Sequence, residues 1–206
     1  AFPGITTYNT IDGGSTWHGP YQVKYPMDDL AGAGDPVITF DRNGTAYAAS
    51  ISTNVEEFTI NSASGSAGVS SIPISKSDDG GVTWSEPIAS AASHVDTKQS
   101  EPDAQGRVQY ELILPFLDKP WVTVGPNKDD SSKDIIYVTY TKFVTRLPIV
   151  FLFDVQAFSL VPVTETTIEI VRSEDGGITW SEPIKVSETV SSTMGEDVPK
   201  RSEEHT

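Results

Sequence analysis

The sequence predicts an all-β protein, and three observations carry that prediction. Fourteen residues, SKSDDGGVTWSEPI (75–88), return almost letter for letter as VRSEDGGITWSEPI (171–184), and a looser copy, YNTIDGGSTWHGPY, stands at 8–21. The segments before the second and third copies, VSSIPIS and TTIEIVR, alternate with the two-residue period of strands. Clusters of Gly, Asn, Asp and Pro punctuate short β-branched and aromatic runs, as they do in hairpins. Repetition on this scale marks a chain assembled from like supersecondary units.

Reduced to shared positions, the copies read S/T-x-D-G-G-x-T-W. The residues are Thr10, Asp12, Gly14, Thr16 and Trp17; Ser77, Asp79, Gly81, Thr83 and Trp84; Ser173, Asp175, Gly177, Thr179 and Trp180. The Asp carboxylate and the leading hydroxyl can accept backbone amides in a tight turn. The paired glycines permit positive φ there. Thr and Trp are adjacent, so an emerging strand sends them to opposite faces. Each copy is therefore expected to be a hairpin corner whose Asp accepts amide hydrogen bonds and whose Trp is buried. The burial is expected of Trp84 and Trp180 and left open for Trp17, whose half blade has few strands.

This pattern, present three times, resembles the Asp box (BNR repeat) of sialidases and other β-propellers. The resemblance implies blades of four antiparallel strands. It also implies that the box joins the third strand to the fourth at the blade periphery, so these positions are structural and not catalytic.

A second repeat supports the blades. GDPVITFDRNGTAYAAS (34–50) matches DKPWVTVGPNKDDSSKDIIYVTYTKF (118–143), and EDVPK (196–200) repeats the opening. Each starts with Asp, then Pro, then an apolar strand. About two and a half blades follow. Residues 1–25 form a half blade with the first box, 35–90 a complete blade, 91–117 an insertion, 118–188 a second complete blade, and 189–206 the start of a further blade or a tail. A closed propeller needs four to eight blades, so the expectation is a partial propeller, either a fragment or a subunit completed by other chains.

Composition narrows the functions. Fourteen basic residues against twenty-nine acidic ones leave a net charge of −15, which disfavours nucleic acid and anionic lipid as partners. There is no cysteine, so disulfides and thiolate chemistry are excluded. The opening AFPGITTYNT lacks the pattern of a signal peptide. The apolar run RLPIVFLFDVQAFSLVPV (146–163) is interrupted by Pro, Asp and Gln. It is too short and broken for a membrane span, and is read as strand packing or a contact surface.

By the same resemblance, the ligand face is built from the loops at 24–35, 53–68, 90–118, 144–164 and 187–197. Its candidate ligand-binding residues are Asp28, Asp29, Asp35, Arg107, Tyr110, Glu111, Asp118 and Arg146, with Glu101 and Asp103 nearby. A sialidase needs three arginines for the substrate carboxylate, a Tyr paired with a Glu, and an Asp acid/base. Its usual Phe-Arg-Ile-Pro motif is absent, and only Arg107 and Arg146 fall in suitable loops. RVQYE (107–111) sends Arg107 and Glu111 to one face and Tyr110 to the other. The loop NKDDSSKD (127–134) could offer Asp129, Asp130 and Asp134 to Ca²⁺; no other cofactor is expected. The histidines, His18, His94 and His205, have no ligand spacing.

The resulting expectation is an exported or cell-surface binding or scaffold module for a glycan or protein, without a complete catalytic set. The alternatives are a sialidase-type hydrolase with further residues elsewhere, and a self-assembling structural subunit.

Overall fold

The structure is a computed structural model that describes residues 4–24, 33–152, 156–159 and 161–193. Within them the chain is all-β, with curled antiparallel sheets and no helix. No helix of the described residues is long and apolar enough to cross a membrane.

The first copy of the repeat joins β1 (Thr6–Asn9) to β2 (His18–Gln22) in a two-stranded ribbon. Next come β3 (Ala33–Phe40), β4 (Ala46–Ile60), β5 (Ala63–Ser77) and β6 (Ile88–Ala92), a four-stranded sheet in chain order. The second copy connects β5 to β6.

The larger sheet holds β7 (Asp96–Gln99), β8 (Tyr110–Pro126), β9 (Asp134–Leu152), β10 (Gln156–Ser159), β11 (Val163–Ser173), β12 (Ile184–Lys185) and β13 (Val190–Thr193). Its order is β12-β11-β9-β8-β7, with β10 on β9 and β13 on β11. The third copy connects β11 to β12. Counted from β3 and from β8, the second and third copies each link the third strand of a meander to the fourth.

The three turns share one hydrogen-bond pattern. In the second, Ser77 Oγ donates to Asp79 at 2.8 Å and accepts the Gly81 N–H at 2.8 Å. Thr83 gives Asp79 its N–H at 2.9 Å and its hydroxyl at 2.6 Å. Thr10, Asp12 and Thr16 repeat this set, as do Ser173, Asp175 and Thr179. Both glycines of each turn have positive φ, from 71° to 93°, a conformation a side chain would oppose.

Trp84 and Trp180 are less buried than expected, and Trp17, left open, is exposed. Trp84 and Trp180 are half-buried, and Trp17 is 62% exposed. Each ring folds back over the second glycine of its own turn. Trp84 Nε1 also donates to Thr7 Oγ1 of the β1–β2 ribbon at 3.1 Å and Trp180 packs against the shared core, whereas Trp17 lines an open cavity beside Phe40.

Hydrogen bonds from the Thr side chain and then its backbone N–H, with the hydroxyl of Thr10, Ser77 or Ser173 adding to them, hold the carboxyls of Asp12, Asp79 and Asp175 at about 2 instead of 3.8. A carboxyl depressed by folding stabilises the fold above its unfolded value, and that contribution is lost as pH falls through the folded value. The thermal midpoint should therefore decline as pH drops from about 4 toward 2, and Asp79→Asn should flatten part of the decline. A midpoint constant across that range would contradict the account.

The two large sheets stack. Tyr47, Ala49 and Ile51 of β4 and Ile72 and Ile74 of β5 meet Leu117, Val122, Ile136, Val138, Tyr140 and Val171. Ser70 Oγ accepts the Leu117 N–H at 2.6 Å and donates to the Leu117 carbonyl at 3.1 Å, bridging the sheets inside the core. At one rim, Arg42 pairs with Asp134.

Regions expected as loops turn out to be ladder. β4 and β5 stay paired out to Ile60 and Ala63, and β8 and β9 from Pro126 and Asp134 out to Tyr110 and Ile149. The segment 110–117 extends β8, and Arg146–Leu152 extends β9. The antiparallel register runs unbroken through both arms, from Ser52 to Ile60 on β4 and from Asp118 to Tyr110 on β8, and carries them past the core even across Pro115 and Pro148.

Candidate functional site

Two Asp-Pro-type openings shape one end of the sheet pair. Asp35 and Lys119 each precede a proline, each have positive φ (47° and 52°), and each sit where the β3–β4 or β8–β9 register shifts. Non-glycine residues in this region store strain. Their side chains join across the sheets, with Lys119 Nζ 2.6 Å from Asp35 Oδ2. That hydrogen bond and the charge of Asp35 raise the lysine pKa. Asp118 accepts the Lys119 N–H at 2.9 Å. The structure thus gathers two candidate acids, Asp35 and Asp118, around one lysine. Asp28 and Asp29 lie outside the described residues.

The two candidate arginines are not brought together. Arg107 is held within its own loop by Asp103, Nε to Oδ2 at 2.8 Å. Arg146 lies between Glu111 and Glu165, 3.3 Å from each. Tyr110 packs edge-on against Phe151, with ring centroids 5.2 Å apart. Arg42 and Arg172 pair with Asp134 and Glu174. Every arginine among the described residues therefore already faces a carboxylate of this chain. An anionic ligand would have to displace one of them. In the acidic loop, Asp134 turns to Arg42, and Asp130 to Ser132 and Lys133. Among the described residues no three His, Cys, Asp or Glu side chains are grouped to hold a metal ion.

A polar cluster that sequence reasoning missed lies in a groove of about 500 Å³ between β6 and the larger sheet. Glu169 of β11 is directly opposite Tyr140 of β9. Its carboxylate accepts the Tyr140 hydroxyl at 3.1 Å and lies 3.4 Å from Lys142 Nζ. The residue is only 4% exposed, yet it lines the groove with Tyr140, Lys142, Ser90, His94 and Trp180. Burial first, and the Glu169 charge second, push the Tyr140 phenol well above its ordinary value. At neutral pH it is a hydrogen-bond donor and not a phenolate. The charges of Glu169 and Lys142 offset each other within a groove that has an aromatic wall and also carries Glu182 and His94 in its lining. The signal was present in TTIEIVR: Glu169 shares strand parity with Val171 and Ser173, both buried.

Comparison with protein-family models, curated proteins and solved structures finds no match, so the functional reading rests on these residues and their geometry.

Proposed function

We propose that the chain is an Asp-box β-propeller segment, exported or at the cell surface, that acts as a binding module for a neutral, hydroxyl-rich glycan. The observation that carries this reading is the groove of Glu169, Tyr140, Lys142 and Trp180. A half-buried indole offers a flat apolar face to a sugar ring. A buried carboxylate and an ammonium beside it can accept from and donate to hydroxyls. The propeller part is supported by like turns at like strand junctions and by two stacked meanders.

The Tyr140–Glu169 juxtaposition is also the pairing a sialidase-type hydrolase uses. Two facts favour binding over turnover. The phenol pKa is raised where a nucleophile needs it lowered, and no described arginine is free of an internal carboxylate.

Titration of the pure chain against neutral and sialylated oligosaccharides tests the reading. The expected result is saturable binding of a neutral glycan, weakened at least about tenfold by Trp180→Ala, a loss of roughly 1.4 kcal/mol. Binding indifferent to Trp180, or hydrolysis of a sialoside by the chain alone, would overturn it.

A further inference from the structure

The groove of Glu169 and Trp180 has a direction, fixed by hydrogen-bond register. At one end stands Trp180. Its ring folds over Gly177, and Gly177 lies against Ile136 of β9 and Ile74 of β5. Ile74 pairs with Ile88, where β6 begins. At the other end stands His94. Its neighbour Ser93 bonds to Ser70, Ser70 bonds to Leu117, and Leu117 pairs with Lys142 of β9. So β6 runs the length of the groove, from the Trp180 end to the His94 and Lys142 end, with Tyr140 and Glu169 between them. On β9 the two ends lie at Ile136 and Lys142, a stretch of strand of about 20 Å. No single pyranose ring is that long.

The groove's polar groups are spread along this line. Glu182 stands beside Trp180, Glu169 and Lys142 follow, and His94 comes last. Glu56, reaching over from the β4 arm, holds His94: its Oε1 is 2.6 Å from Nδ1, and its Oε2 accepts the Val95 N–H at 2.8 Å. A carboxylate on Nδ1 keeps the proton there and leaves Nε2 as an acceptor. Nε2 has no partner among the described residues. The β6 wall presents Ala89, Ala91 and Ala92, whose short side chains let a ligand lie close to the strand. Glu182, Glu169 and, behind His94, Glu56 outnumber Lys142, so a polyanionic chain is disfavoured.

We propose that the groove takes an internal stretch of a linear neutral polysaccharide, several sugar residues at once, and that His94 is the contact for its far end. The proposal rests on the glycan reading above and adds the extent of the ligand and the role of His94. One ring stacks on Trp180, hydroxyls further along give to Glu169 and accept from Lys142, and a last hydroxyl gives to His94 Nε2.

The test measures dissociation constants of the pure chain for linear gluco-, manno- and N-acetylgluco-oligosaccharides, each from the monosaccharide to the hexasaccharide. In the series that binds, affinity should rise at least about tenfold with length and level off once the ligand spans the groove. His94→Ala should remove that gain and leave the shortest ligand that binds unaffected, which also shows the site intact. Trp180→Ala should weaken every member. Affinity that depends on Trp180 but not on length overturns the proposal and leaves the glycan reading standing. A gain with length that survives His94→Ala is the statistical effect of repeated units and overturns it too. Binding by no member of any series overturns both.

Discussion

Ile72→Ala is expected to lower the stability of the chain by about 2–5 kcal/mol, the usual range for emptying a fully enclosed Ile site. Ile72 is 0% exposed and sits in the cluster that both large sheets share. Sheets are stiff and their backbones cannot close around a void, so the loss should fall toward the upper part of the range. Ile72→Val removes one methylene and should cost about 0.5–1.5 kcal/mol. Val190→Ala, at an exposed position of β13, provides the control. Denaturant midpoints at constant slope measure all three. If Ile72→Ala moved the midpoint no further than Val190→Ala, the sheets would not share a core.

The second large effect is expected at Glu169. Glu169→Ala leaves the Tyr140 hydroxyl enclosed without its acceptor, a cost of about 1–3 kcal/mol. Lys142 adds less, because it is about one-third exposed and can turn to water. Glu169→Gln retains an acceptor and should recover most of the loss. Combining Tyr140→Phe with Glu169→Leu removes both partners, so the double variant should lose less than the sum of the two singles. Strict additivity would show that the pair is not coupled.

The local chemistry of the fold was legible in the sequence where a residue acts on its near neighbours. The Asp12, Asp79 and Asp175 turns are of this kind, since each Asp bonds to residues within four positions. The Pro36 and Pro120 openings were legible for the same reason. Less readable was anything set by what lies across a sheet. The shared local letters did not set how far each Trp is covered: Trp84 is half-buried, short of the burial expected of it, and Trp17 is 62% exposed. Arg107 and Arg146 share a sign and both fall in stretches that read as loops, but Asp103 claims the first, and the β9 ladder sets the second between Glu111 and Glu165. Glu169 and Tyr140 are 29 residues apart, and only the β9–β11 register places them face to face. The extents of β8 and β9 were also hidden, because the apolar run at 146–163 fits a loop contact as well as a ladder.

The meander order has a further consequence, for synthesis. From β3 through β6, each strand bonds to the one made just before it; in the larger sheet β8 bonds to β7 and β9 to β8, and β11 returns to β9 past the short β10. Loop closure is cheap when partners are near in sequence. A chain emerging from its N-terminus can therefore fold vectorially, each new strand finding its template already in place. The first large sheet can be complete before Leu117 arrives to meet Ser70. Growth of this kind leaves each new strand's edge open only until the next strand is made, which limits the interval in which a nascent chain can pair wrongly there.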